Sequence, residues 1–192
     1  VHLYLADGNG GLTRRNENFN QYSYYPNLQG RNVLADLDMD GFMEWIGPAY
    51  YCGNLSNSSY NLCIREYDLA TDTFTDQGIT DASQTEYGRV AIGDVNGDGY
   101  EDLISSHSYK SYYDLYRGTL KGSGQVWVFY GSVNGLNATD VSDADWTAYG
   151  DNEFTSSYLR FGLNIDVSDV NGDGIDDLLV TSQKGSFLFY GP

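Results

Sequence analysis

One pattern recurs three times in this chain and constrains its fold more than any other feature. A strand-like run leads into a turn of alternating acids and amides, a glycine follows, and a second strand-like run leaves. The turns are Asp36-Leu-Asp-Met-Asp-Gly-Phe-Met-Glu44, Asp94-Val-Asn-Gly-Asp-Gly-Tyr-Glu-Asp102 and Asp169-Val-Asn-Gly-Asp-Gly-Ile-Asp-Asp177. Their first residues are 58 and 75 positions apart. Self-similarity at such a period marks supersecondary units that cannot bury their faces alone and must stack on neighbours.

A second piece follows each of the last two turns, Gln125-Val-Trp-Val-Phe-Tyr-Gly131 and Ser186-Phe-Leu-Phe-Tyr-Gly191, and Val1-His-Leu-Tyr-Leu-Ala-Asp-Gly8 resembles it. Each unit then reads strand, acidic turn, strand, longer connection, strand rich in aromatic and β-branched residues, turn, last strand. That is a four-stranded antiparallel meander, so the expected class is all-β, with propeller-like blades. The units run 1–27 (the end of a preceding blade), 28–83, 84–150 with an insertion over 108–124, and 151–192, whose last strand is missing. About three blades are fewer than the roughly four to eight of a closed propeller. The expectation is therefore a partial propeller, part of a longer protein, with closure by other chains as the alternative.

The acidic turns have the composition of a calcium loop. Calcium takes six to eight hard oxygens, and a short turn supplies them when carboxylates or amides alternate along it. Positions one, three and five are Asp36/Asp38/Asp40, Asp94/Asn96/Asp98 and Asp169/Asn171/Asp173. Glycine at six permits the sharp turn. The carbonyls of Phe42, Tyr100 and Ile175 at seven, and the carboxylates of Glu44, Asp102 and Asp177 at nine, would close three shells. A helix-flanked EF-hand shares the first six positions but needs Glu at twelve, where this chain has Gly47, Ser105 and Val180. Its exiting helix is also absent, because Asp102-Leu-Ile-Ser and Asp177-Leu-Leu-Val read as buried strands. A solvated turn would also favour these residue types, but not an acid at nine in all three copies.

Charge points the same way. Lys and Arg number 10 against 27 Asp and Glu, a formal net charge of −17, and three divalent ions would bring it to −11. So acidic a chain repels phosphate backbones and anionic lipid, which disfavours nucleic acid and membrane docking as functions. Solubility or adaptation to salt would also account for the excess. No apolar stretch approaches the length of a membrane span.

Cys52 and Cys63 bracket a short polar loop holding the sequons at Asn54 and Asn57, and a third sequon lies at Asn137. This predicts a Cys52–Cys63 disulfide, glycosylation and an oxidising, extracellular setting. Catalysis has little support. The two histidines, His2 and His107, show no nucleophile–base spacing, and His107 reads as a loop residue after a strand.

The loops resemble those of the FG-GAP repeat family, the calcium-binding propeller repeats of integrin α subunits and many secreted proteins. Phe161-Gly162 stands as the FG element, Tyr87-Gly88 takes its place one unit earlier, and Ile46-Gly47-Pro48 retains part of GAP. The resemblance implies a propeller fold, an extracellular or cell-surface location and a role in adhesion or recognition. Meander topology places the aromatic clusters opposite the acidic turns. Tyr24, Tyr25, Tyr51, Tyr109, Tyr112, Tyr113, Tyr116 and Arg117 are the candidates for contacting a protein or carbohydrate ligand there, or another subunit of a surface assembly. Packing of the long loops onto the blades is the alternative role for these tyrosines.

Overall fold

A computed structural model of the chain describes residues 4–6, 12–14, 32–49, 61–68, 71, 73–80, 88–109, 111–114, 119–122, 124–150 and 159–192. These residues are all-β, with one 3-10 turn at Val141–Asp143. No helix among them is long and apolar enough to cross a membrane.

Strands β1 (Tyr4–Ala6) and β2 (Leu12–Arg14) form a two-stranded hairpin. The first full sheet pairs β3 (Val33–Ala35), β4 (Glu44–Ala49), β5 (Asn61–Asp68) and β6 (Thr73–Ile79) in chain order. The second contains β7 (Gly88–Gly93) and β8 (Asp102–His107). A separate hairpin of β9 (Ser111–Asp114) and β10 (Thr119–Gly122) is inserted before its remaining strands, β11 (Gln125–Phe129) and β12 (Trp146–Tyr149). The third pairs β13 (Asn164–Ser168), β14 (Asp177–Ser182) and β15 (Gly185–Phe189). Every pairing within these sheets is antiparallel. Apart from the inserted β9–β10 hairpin, strands within each sheet pair in chain order, the meander expected of propeller blades.

The stacking follows from strands buried on both faces. On β8 and β11 the cross-strand pairs Leu103–Phe129 and Ile104–Val128 lie one residue apart in register. Successive side chains leave opposite faces of a sheet. Leu103, Trp127 and Phe129 therefore pack with Ile46, Leu62, Ile64 and Ile79 of the first sheet. Ile104, Val126 and Val128 pack on the other side, with Phe161 and with Ile165, Leu178 and Val180 of the third. Burying each of these larger side chains contributes roughly 1.5–3 kcal/mol. A ring contact spans the second junction, where Trp146 meets Phe189 edge-on at 5.2 Å, and Phe161 meets Phe187 at 5.3 Å within the third blade.

Polar contacts set the lateral register. Gln77 donates through Nε2 to the carbonyls of Leu136 and Ala138, both at 2.9 Å. The Thr80 N–H donates to the Thr139 carbonyl at 2.9 Å. The connection before β12 is thereby laid along the last strand of the first sheet. One sequence expectation changes. His107 ends β8 at 5% exposure and accepts the Tyr109 N–H through Nδ1 at 3.3 Å, because β8 runs longer than a short apolar strand would. The 108–124 insertion folds partly as its own hairpin.

Candidate metal centre

Each acidic turn joins the first two strands of its sheet, so all three lie at the same end of their blades. The second and third are built by identical hydrogen bonds. Asp94 Oδ1 accepts the N–H groups of Gly97 and Asp98 at 2.8 and 3.1 Å, and Oδ2 accepts that of Gly99 at 2.8 Å. Asp169 does the same for Gly172, Asp173 and Gly174 at 2.6, 3.2 and 3.0 Å. Asn96 and Asn171 accept the Asp98 and Asp173 amides at 2.8 Å, and those aspartates accept the Tyr100 and Ile175 amides at 2.9 Å. The acid at position one thus organises the amides of four, five and six.

This geometry needs positive φ twice, at +75° and +91° for Gly97 and Gly99, and at +81° and +89° for Gly172 and Gly174. Sequence reading anticipated only the second. In the first turn Met39 occupies position four at φ +59°, a conformation that costs a side-chain-bearing residue roughly 1–2 kcal/mol. There Asp36 keeps only the bond from Gly41, at 3.0 Å to Oδ2. Its Oδ1 is buried with no hydrogen-bond partner.

That orphaned oxygen bears directly on the chemistry of the site. A buried carboxylate oxygen without a donor is costly, and Asp36, Asp38 and Asp40 each bring an oxygen within 4.8 Å of one another. Three carboxylates so close repel one another unless a cation lies among them. The donor set is hard oxygen, the chemistry of calcium rather than of zinc or copper. In the other two turns the Asn at position three lowers the charge, and its Nδ2 donates to the position-five aspartate at 3.0 and 2.8 Å. The position-seven residues Phe42, Tyr100 and Ile175 lie within the same turns.

The acids at position nine occupy a distinct place, beneath the turn. Glu44, Asp102 and Asp177 are 6%, 0% and 1% exposed. Each accepts the position-two amide: Leu37 to Glu44 at 2.7 Å, Val95 to Asp102 at 2.9 Å, Val170 to Asp177 at 3.0 Å. Asp102 and Asp177 use their other oxygen for Gly131 and Gly191, at 2.9 and 3.0 Å, tying the turn to the end of the third strand. Desolvation, with smaller contributions from nearby carboxylates, raises Glu44 to about 7 and Asp102 to about 6. Burial therefore disfavours the charged form of both carboxylates.

The remaining candidates are scattered. Tyr109 follows β8, at the end opposite the acidic turns, with the Arg160 guanidinium 4.4 Å from its ring centroid. Tyr112 and Tyr113 belong to β9. Asn137 is exposed, and Cys63 lies buried in β5. No free cysteine is present among the described residues. Cys52, Asn54, Asn57, Tyr24, Tyr25, Tyr51, Tyr116 and Arg117 lie outside them.

Fold and site together define a class: stacked antiparallel blades, each carrying an acidic turn at one end. Within the third blade, residues 161–189 match the family profile of the FG-GAP repeat. The match spans β13, its acidic turn, β14 and β15. The second turn shares the hydrogen-bond pattern of the matched one, residue for residue.

Proposed function

We propose that this chain is a calcium-stabilised, extracellular propeller module for adhesion or ligand recognition, acting without catalysis. The observation that carries the reading is the first turn, with its orphaned Asp36 Oδ1 among three converging carboxylates. Asp36, Asp38 and Asp40, with the Phe42 carbonyl and Glu44, would hold one ion. Asp94, Asn96, Asp98, the Tyr100 carbonyl and Asp102 would hold a second, and Asp169, Asn171, Asp173, the Ile175 carbonyl and Asp177 a third. Calcium supplies charge compensation there, and the turns bring strand ends together around it. The ions are pins in the scaffold rather than the working surface.

A Cys52–Cys63 bridge and glycans at the sequons fit the same extracellular setting, and the exposure of Asn137 supports access to the third sequon. The recognition surface is the opposite end of the blades, where Arg160 stacks on Tyr109. A flat aromatic ring beside a guanidinium suits a protein or carbohydrate ligand.

Calorimetric titration with calcium tests the reading. Three ions are expected for the wild type and two for Asp98→Ala. A wild type that takes up none refutes it. A glycan array probed at millimolar calcium separates the recognition modes, since specific capture by sugars makes this a lectin.

A further inference from the structure

The second and third turns carry an additional acid at position eight, Glu101 and Asp176. Both reach backward to the preceding blade. Glu101 Oε2 accepts the Asp36 N–H at 3.2 Å, and Asp176 Oδ2 accepts the Asp94 N–H at 3.1 Å. The Asp176 N–H returns to the Asp94 carbonyl at 3.0 Å. In each case position eight of one turn holds the backbone of position one in the turn before it. Position one is the residue whose carboxylate organises that turn.

The same contact is made at both blade junctions, and side-chain length matches the local spacing. A β-carbon at Gly93, next to Asp94, would lie 2.5 Å from Asp176 Oδ2 and 2.4 Å from Val167 Cγ1. The short aspartate therefore reaches only because residue 93 has no side chain. At the first junction Ala35 stands in that place, and the reaching acid is glutamate, one methylene longer.

We propose that Glu101 and Asp176 are positioning residues that couple the cation turns of adjacent blades. By fixing the position-one backbone, each aims the Asp36 or Asp94 carboxylate before a cation arrives, which removes part of the ordering cost of binding. Binding at one turn orders the acid next to its own position nine, and that acid in turn holds the previous turn. Linkage makes the effect reciprocal. The inference rests on the calcium reading above. The first turn has Met43 at position eight, so no equivalent carboxylate reaches back from it.

The test is calcium calorimetry on the full chain for wild type, Asp176→Ala and Asp176→Asn, each also in an Asp98→Ala background. Asp176→Ala should weaken one site about tenfold, within the usual range of coupling between sites. The loss should vanish in the Asp98→Ala background, where the second turn is already disabled. Asp176→Asn keeps an acceptor oxygen but no charge and should restore near-wild-type affinity. Amide exchange at Asp94 in excess chelator should quicken in Asp176→Ala and not in Asp176→Asn. The proposal is overturned if the loss persists in the Asp98→Ala background, if Asp176→Asn binds as weakly as Asp176→Ala, or if Asp94 exchange is unchanged. A wild type that binds no calcium instead defeats the calcium reading, and the coupling with it.

Discussion

Replacing Gly124 with alanine should cost more than about 4 kcal/mol, the range reserved for severe steric or core defects. Gly124 sits at φ +85°, and a β-carbon there would lie 2.0 Å from the Phe161 carbonyl oxygen and 2.8 Å from its nitrogen. Backbone atoms cannot swing aside as a side chain can. The obstructed residue is also central, because Phe161 is 2% exposed and packs in the core between the second and third blades. Gly99→Ala is the control. It has φ +91° but nothing within 4 Å of the added carbon, so it should lose only the roughly 1–2 kcal/mol of the left-handed backbone. Urea unfolding in excess chelator measures both. Equal losses would mean that contact with Phe161 is not what makes the first position critical.

Asp102→Ala is expected to cost about 2–5 kcal/mol in chelator. The residue is fully buried, and its two oxygens serve the amides of Val95 and Gly131. Truncation leaves two N–H groups without acceptors, each worth roughly 1–3 kcal/mol. Part of that loss is offset, since burial already penalises the carboxylate and raises it to about 6. Asp98→Ala should cost under about 1 kcal/mol in the same buffer, because Asp98 is exposed and its donors, the Tyr100 N–H and Asn96 Nδ2, belong to the turn itself. The comparison separates two duties within one turn. Position five answers mainly to the cation, and position nine holds the strands together without one. If both variants unfold at the same urea concentration in chelator, that division is wrong.

The turns, the strands around them and the meander were legible because each rests on short-range chemistry. Acids two residues apart, a glycine at six and apolar runs on either side leave few alternatives. Other features were not legible because they depend on what another strand brings close. Position four needs positive φ only because Asp94 and Asp169 gather three amides, and Met39 hides that need in the first turn. Ser105 and Ser106 are buried in β8 as thoroughly as the apolar residues beside them; Ser106 is held there by donating to the Gly162 carbonyl at 2.8 Å. The sequence assigns no role to the acid at position eight, Glu101 or Asp176. Its partner is a backbone amide 65 or 82 residues away, and only the stacking of blades reveals it. Asp102 read as a cation ligand alone, since nothing in the sequence shows that the Gly131 amide lies above it.

The central claim is that cations hold these turns in a stack of blades, and thermal melting at neutral pH tests it most directly. Each site at a calcium concentration about 100 times its Kd adds roughly 2.7 kcal/mol. In a chain of this size about 1 kcal/mol moves Tm by roughly 2–4 °C. Three sites therefore predict a Tm roughly 15–30 °C lower in excess chelator than in saturating calcium, and no such difference in a chain carrying Asp36→Ala, Asp94→Ala and Asp169→Ala together. A wild-type Tm that is the same with calcium and with chelator would contradict the account.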